Sequence, residues 1–407
     1  RSERATQAAV TQRARRAARQ APGVAYRLWE EAATAVLPLY DPPEILEADL
    51  SALTLASAIW DVADPRDLKW IDAPPAAAID EARARLTALE AIDRDGHPTA
   101  HGRAIAALPM PPRLAHMVAE AAKAGHAAGA AELAALLTER GLGGNGVDLD
   151  ARLARFRADR SPRATSARAM AHRIARMAGG GDGGPPVSAG ALLLHAWPDR
   201  VARTRGGPGR YVLANGRGGV MEGSEALARE PYLVVADLQG TAANSRIAGA
   251  AATTEEEIRA VLGHRVERRS ETVFDMEKRA LRTREVEKLG AVTLAERQAP
   301  SPSGDAANAA LLDAIHAHGL AILPWEKSAA TLRQRLGWLH RGLGEPWPDM
   351  SDDALLADLH DWLLPFLPGT ASLDRLDAQA LRQALLSRAP QALHGKIDRL
   401  APAHFHA

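Results

Sequence analysis

A chain of 407 residues has room for roughly two to four domains. Its 50 Lys+Arg against 50 Asp+Glu leave no net charge, so any nucleic-acid binding must rest on local clusters. It has no cysteine, which excludes disulfides and thiolate metal sites; no apolar run approaches the ~18 residues that span a bilayer and no signal-peptide pattern opens the chain, so a cytoplasmic location is expected.

The chain opens without a methionine, in a basic stretch, and is expected to be a piece of a longer protein. Gln12-Arg13-Ala14-Arg15-Arg16-Ala17-Ala18-Arg19 packs four arginines and a glutamine into an octet, followed by Pro22-Gly23 and a β-like apolar segment, Val24 to Leu28. Asp41-Pro42-Pro43 is a break. Ala76 to Ala91 has the spacing of an amphipathic helix with Ile79, Leu86 and Leu89 inward, and Asp93-Arg94-Asp95-Gly96 marks a turn. Three short helices and a small wing over 41–108 fit a winged-helix domain. An alanine-rich bundle follows over 109–178, and Gly179 to Pro186 reads as a linker.

The period then changes from helical to alternating. Arg210 to Ala214 and Tyr232 to Asp237 read as strands, with Asn215-Gly216 as a hairpin turn and further strands at 273–276 and 292–294. These predict a small OB-like barrel over 187–300. From 306 to 407 the pattern is helical again, with Leu311, Leu312, Ile315, Leu332, Leu336, Trp338 and Leu339 facing a core. Trp60, Trp70, Trp197, Trp325, Trp338, Trp347 and Trp362 are read as core fillers, Trp197 being the one with arginine neighbours.

Guanidinium groups suit phosphate because they donate planar forks and keep their charge. Arg152, Arg155, Arg157, Arg160, Arg163, Arg168, Arg173 and Arg176 form a basic helical section, which is either a phosphate-binding face or a solvated face paired with acids. In the barrel, Arg200, Arg203, Arg205, Arg210 and Arg217, with Tyr211 and Trp197, are the candidate contacts to a single strand. His316 with His318, and His404 with His406, lack a third ligand at useful spacing, so no metal site is expected. No G-x-x-x-x-G-K-[ST] loop occurs, and Asp80-Glu81-Ala82-Arg83 is a mid-helix false match to a DEAH box.

The octet resembles the last motif of superfamily 2 helicases, Q-R-x-G-R-x-G-R, with Arg15 and Ala18 where the motif has glycine. The segment Ala21 to Trp29 resembles the strand that follows it in DEAH-type helicases. His101-Gly-Arg-Ala-Ile-Ala-Ala-Leu-Pro-Met-Pro-Pro-Arg-Leu-Ala-His-Met117 resembles that family's winged-helix to ratchet junction. Gly209 to Gly218, Asp361 to Leu367 and Leu400 to Phe405 resemble the bacterial HrpB-type branch. The resemblance runs along nearly the whole chain in order.

It implies a multidomain, mainly α chain with a small β-barrel. Its parts would be the end of the second RecA-like motor domain (1–40), a winged helix (41–108), a helical ratchet bundle (109–178), an OB-like barrel (187–300) and a C-terminal helical domain (306–407). By the same resemblance, Gln12, Arg16 and Arg19 are catalytic and Arg13 is a cofactor-binding residue that orients the loop or pairs with an acidic partner, while the motor domains of the same polypeptide hold ATP and Mg²⁺. The full-length protein would be an ATP-dependent helicase guiding single-stranded nucleic acid, RNA in that family. This piece alone is expected to be inactive. The alternative is a non-catalytic winged-helix/OB nucleic-acid-binding module.

Overall fold

The computed structural model describes residues 5–180, 184–241 and 244–402. Two units divide the chain, the first running to Tyr211 and from Arg217 to Val261, the second comprising Val212–Gly216 and the chain from Leu262 on.

In the first unit, α1 (Gln7–Arg16) begins at Thr6, whose hydroxyl accepts from the Ala9 amide. Arg13, Arg15 and Arg16 occupy its last turn, where cations complement the helix dipole. Backbone bonds from Gln7 to Pro38 (2.8 Å) and from Ala8 to Leu39 (3.0 Å) fold the next segment back on α1, past the short α2 (Glu31–Ala35). The expected strand at Val24 to Leu28 does not form. Its backbone joins no sheet, and Val24, Tyr26 and Leu28 are exposed, because an isolated apolar segment has no ladder to satisfy it.

Helices α3 (Ser51–Ile59), α4 (Ala76–Ala88) and α5 (Ala100–Ala106) follow. Ile79, Ala82 and Leu86 recur at helical spacing and are fully buried, the first two against Leu50. The Asp93 carboxylate accepts from the amides of Asp95 and His97, closing the turn between α4 and α5, and Ile92 bridges Pro98. Thr99 caps α5. A Cβ on Gly102 would lie 1.9 Å from the Ala91 carbonyl oxygen, so only glycine lets α5 approach that backbone.

The bundle consists of α6 (Pro112–Lys123), α7 (Ala127–Thr138), α8 (Leu149–Ala158), α9 (Pro162–Met177) and α10 (Ala189–Ala196). Asp148, Ser161 and Ser188 cap α8, α9 and α10 through their side chains. α7 packs on α6 and α9, and α6 on α10, with Ala115, Ala127, Ala130, Ala131 and Ala171 fully buried. Small side chains at these contacts let the helix axes draw close. The expected linker at 179–186 falls partly outside the described residues.

Five strands close the barrel in the order β1-β2-β3-β5-β4: β1 (Val201–Thr204), β2 (Arg210–Leu213), β3 (Gly218–Val220), β4 (Tyr232–Thr241) and β5 (Asn244–Ala252). Gly216, at φ +83°, turns β2 into β3 as the Asn-Gly pair predicts. The Ala250 amide donates to the Val147 carbonyl (2.9 Å), which ties the bundle to the barrel. Helix α11 (Glu255–Leu262) follows β5.

The second unit holds an antiparallel sheet of β6 (Glu267–Asp275), β7 (Ala280–Leu289) and β8 (Val292–Ala299), in that order. The strands expected at 273–276 and 292–294 therefore lie here and not in the barrel, which is already a closed ring and has no edge to extend. Helices α12 (Asp305–His318), α13 (Lys327–Leu343), α14 (Asp352–Ala357), α15 (Leu359–Trp362), α16 (Ala378–Ser387) and α17 (Ile397–Leu400) share a core that includes Leu311, Leu336, Leu363 and Leu381. Trp347 and Trp362 join it, whereas Trp338 is 53% and Trp60 81% exposed, against the reading of both as core fillers. His404 and His406, with the end of the Leu400 to Phe405 motif, lie outside the described residues. Among the described residues no helix is long and apolar enough to cross a membrane.

Candidate nucleic-acid interface

The first unit contains a cleft of about 1100 Å³ whose wall is built by α4, the start of α6, the loop after α7, α8, the turn into β1, and the paired strands β4 and β5. Six arginines line it (Arg85, Arg113, Arg140, Arg152, Arg200 and Arg246) against three carboxylates (Asp49, Glu139 and Asp237). In a chain with no net charge, this is a concentration of positive charge at one place.

Each arginine is set by its element. Arg113, in the first turn of α6, donates to the Ala196 carbonyl (2.9 Å) and holds Asp199 through both terminal nitrogens (2.7 and 3.3 Å). Burial pushes the Asp199 carboxyl up, yet the Arg113 hydrogen bond and the Arg113 and Arg200 charges outweigh it and leave the group below its ordinary value. Arg200 donates to the carbonyl of Ala236 (3.0 Å), a residue that falls in an irregular register of β4 against β5. Burial lowers the pKa of Arg200, and the neighbouring Arg113 and Arg85 charges add to this.

Arg85 bridges Asp49 (2.6 Å), Ser51 (2.9 Å) and Glu81 (2.6 Å). Arg152 reaches the Leu142 carbonyl at 3.4 Å, while its Nε is buried without a partner among the described residues. The loop before α8 stays close because a Cβ on Gly143 would meet the Arg152 carbonyl oxygen at 2.2 Å. Arg246 on β5 is exposed and reaches Glu222 only at 3.7 Å. Guanidinium groups bonded to backbone carbonyls are held in place but keep their full charge.

Of the residues singled out in the barrel, Trp197 and Arg200 line this cleft. Trp197 is 9% exposed, so its ring is largely packed away. Arg203, Arg205, Arg210 and Arg217 do not line the cleft; the Arg205 amide, just past β1, donates to the Arg210 carbonyl at the start of β2 (2.8 Å). Tyr211 is buried, and its hydroxyl donates toward the Leu227 (2.6 Å) and Glu230 (2.9 Å) carbonyls. Burial, then the Glu230 charge, pushes its pKa up to about 12. Its ring offers no face to a base.

Along the basic helices, Arg157 pairs with Glu132, Arg155 bonds the Gly143 carbonyl, and Arg168 bonds the carbonyls of Phe156 and Asp159. Arg152 alone of that series lines the cleft. Sequence reasoning missed Arg85, Arg140 and Arg246, which lie outside the two arginine-rich series singled out in the sequence; Arg113 carried a signal, since it lies in the quoted Pro-Arg-Leu-Ala motif.

Gln12, Arg13 and Arg16 are exposed on α1, with Gln12 and Arg16 one turn apart, and Arg19 is exposed in the turn beyond. Arg15 is helical and neither Arg15 nor Ala18 has a positive φ, so bulk at the two glycine positions of the motif costs no backbone strain here. Asp80 to Arg83 lies within α4, with Ala82 buried and Arg83 donating to the Ala63 carbonyl (2.6 Å), as a structural helix requires.

No family model matches the chain. In sequence and fold the chain is similar to the C-terminal part of a DEAH/RHA helicase. The particular relative is the ATP-dependent RNA helicase HrpB of Escherichia coli (strain K12), 33% identical over 407 residues that cover 99% of this chain and 49% of that protein. A crystal structure of the E. coli DEAH/RHA helicase HrpB matches with a TM-score of 0.62 at 31% identity, covering 99% of this chain and 50% of that one. The pre-mRNA-splicing factor ATP-dependent RNA helicase prp22 of Schizosaccharomyces pombe is 37% identical over 114 residues, 28% of this chain and 10% of that protein. The chain thus spans about half the length of HrpB.

Proposed function

We propose that this chain is the strand-guiding region of an ATP-dependent RNA helicase, and that the arginine-lined cleft holds the phosphates of a single strand. The observation that carries this reading is the excess of six arginines over three carboxylates in one cleft of a neutral chain. Guanidinium groups along such a cleft replace counterions on the strand, a contact that is blind to sequence and weakens with salt. In this reading 41–108 is the winged helix, 109–178 the ratchet bundle, the five-stranded ring an OB-like barrel and 306–407 the HrpB-type C-terminal domain.

The octet would complete the nucleotide site of the whole protein. Residues 5–29 hold arginines and glutamines but no carboxylate, which suits phosphate oxygens and not Mg²⁺. Metal and base therefore belong to the motor domains, with Arg16 and Arg19 reaching the charge that develops on the transferred phosphoryl, Gln12 the attacking water, and Arg13 the loop geometry. The exposed Val24, Tyr26 and Leu28 fit a strand awaiting a motor-domain sheet. In the full-length protein, Arg16→Ala or Arg19→Ala is expected to cut ATP turnover about a thousandfold with little change in ATP affinity; turnover at the wild-type rate overturns the assignment.

Fluorescence anisotropy of this chain with single-stranded and duplex probes across a salt series tests the cleft. Single-strand binding without sequence preference, weakening linearly on a log–log salt plot, supports it. Sequence-dependent preference for duplex would favour the non-catalytic binding module instead.

A further inference from the structure

Two histidines and a glutamate converge where α5 meets α6. His116 and Glu120 lie one turn apart on α6, so both side chains leave the helix on the same face. His101 comes from α5 and places its Nε2 2.8 Å from His116 Nδ1, with the rings edge to face at a centroid distance of 4.9 Å. Its Nδ1 lies 3.8 Å from a Glu120 carboxylate oxygen. One ligand atom from each residue stands within 4.8 Å of the other two, and all three residues are half-buried.

We propose that His101, His116 and Glu120 form a binding site for one divalent transition-metal ion of the Zn²⁺ type, which clamps α5 to α6. Two imidazoles and a carboxylate are a familiar donor set for such an ion, with a water completing the tetrahedron. Bonds of about 2.0–2.1 Å separate neighbouring tetrahedral donors by roughly 3.3 Å, so the two rings must part by only about half an ångström. Without metal, one imidazole N–H donates to the lone pair of the other. On binding, that proton shifts to the far nitrogen of its own ring, and both lone pairs turn to the ion.

The surroundings favour capture of a cation. Glu120 and Glu90 bring negative charge to His101, against the positive charge of Lys123. Lys123 bonds Glu120 at 2.6 Å and must give way; its side chain is 66% exposed, so solvent takes it up at little cost. His195 on α10 has Glu120 and Lys123 as its electrostatic neighbours and brings a further imidazole to the same locality. Arg113 lies three residues before His116, so a clamp at this point would stiffen the helix that carries a cleft arginine.

The test is a titration of the untagged, chelator-stripped chain with Zn²⁺ by calorimetry and with Co²⁺ by visible absorption. One tight ion per chain, a tetrahedral Co²⁺ spectrum and a Zn²⁺-dependent rise in Tm are expected. His116→Gln keeps a hydrogen-bonding group beside His101 and Glu120→Gln keeps the shape; each is expected to weaken binding about a hundredfold, with the metal-free Tm close to wild type. Absence of stoichiometric binding, or wild-type affinity in both variants, overturns the proposal. If the variants do not fold, imidazole NMR signals of the wild-type chain decide: Zn²⁺ shifts in the two junction rings support the site, and shifts confined to exposed histidines refute it.

Discussion

Arginine is abundant both in the cleft of the first unit and on the three-stranded sheet of the second, yet the two regions differ in how far carboxylates meet its charge. On the sheet, Arg268 faces Glu287 (2.7 Å), Arg282 faces Asp275 (2.8 Å), Arg297 faces Glu285 (2.5 Å), and Arg284 joins Glu271 and Glu296. Lys288 completes the set on Glu271. These are cross-strand pairs, and they neutralise the surface they decorate. In the cleft, Arg85 and Arg113 are paired with carboxylates, but Arg200 and Arg152 take backbone carbonyls, which hold a guanidinium without cancelling it. The identity of an arginine's partner, more than the count of arginines, decides whether a surface can attract phosphate.

The largest expected effect comes from breaking the cleft's one bidentate pair. Arg113→Ala strands the carboxylate of Asp199 and is expected to cost about 2 kcal/mol in urea unfolding at pH 7, less than a fully buried pair because Asp199 is 40% exposed. The Asp199 pKa lies below 3.8 in the folded chain, so its contribution is full above that value and is lost as pH falls through the lower, folded one. The gap between variant and wild type should therefore shrink in acid; a constant gap from pH 7 to pH 3 would remove the ion pair as its cause. Next in size is Arg140→Gln with Arg246→Gln, two exposed cleft residues. Together they are expected to weaken single-strand affinity about tenfold and flatten the salt slope by roughly two, with Tm unchanged.

The difference between the two regions was only partly legible in the sequence. Helices with apolar periodicity, such as Ala76 to Ala91, ended within a few residues of their expected limits, and Asn215-Gly216 marked its turn. Strand β7, Ala-Leu-Arg-Thr-Arg-Glu-Val-Glu-Lys-Leu, is composed largely of good helix formers; it is a strand because its charges pair across to β6 and β8. β5 is rich in alanine and glycine and gives little local strand signal, its place being set by the barrel ring. Arg85, Arg113, Arg200 and Arg246 are far apart in sequence, and only the folded chain makes them one wall. His101 and His116 escaped notice for the same reason: the spacing rules search within one element, and these ligands come from two.

Tyr211 sharpens the comparison from within the barrel, since it sits beside arginines in sequence but behaves as core. Tyr211→Phe removes a hydroxyl bonded to two carbonyls and is expected to cost about 1 kcal/mol with no change in strand affinity. Its pKa rises from 10.0 to about 12 on folding, so the wild-type chain gains stability from the neutral phenol below pH 10 and loses it between pH 10 and about 12. The phenylalanine variant should lose less over that range. A clear drop in strand affinity would instead return Tyr211 to the binding surface.

The smallest effect is expected on the sheet, where it isolates the principle. Arg297 is 79% exposed and pairs across the strands with Glu285, itself 54% exposed. Solvent screens both charges, and exposed pairs of this kind contribute little to stability. Arg297→Ala should therefore leave the urea-unfolding midpoint at the wild-type value. It should also leave single-strand affinity and its salt slope unchanged, because the arginine's charge is already met by a carboxylate. Measured beside the Arg140/Arg246 variant in the same anisotropy series, it removes one guanidinium from a surface of close ion pairs where the other removes two from a cleft lined by more arginines than carboxylates. If Arg297→Ala weakened binding by half as much as the cleft pair, simple arginine count would govern affinity and the cleft would lose its claim as the strand's site.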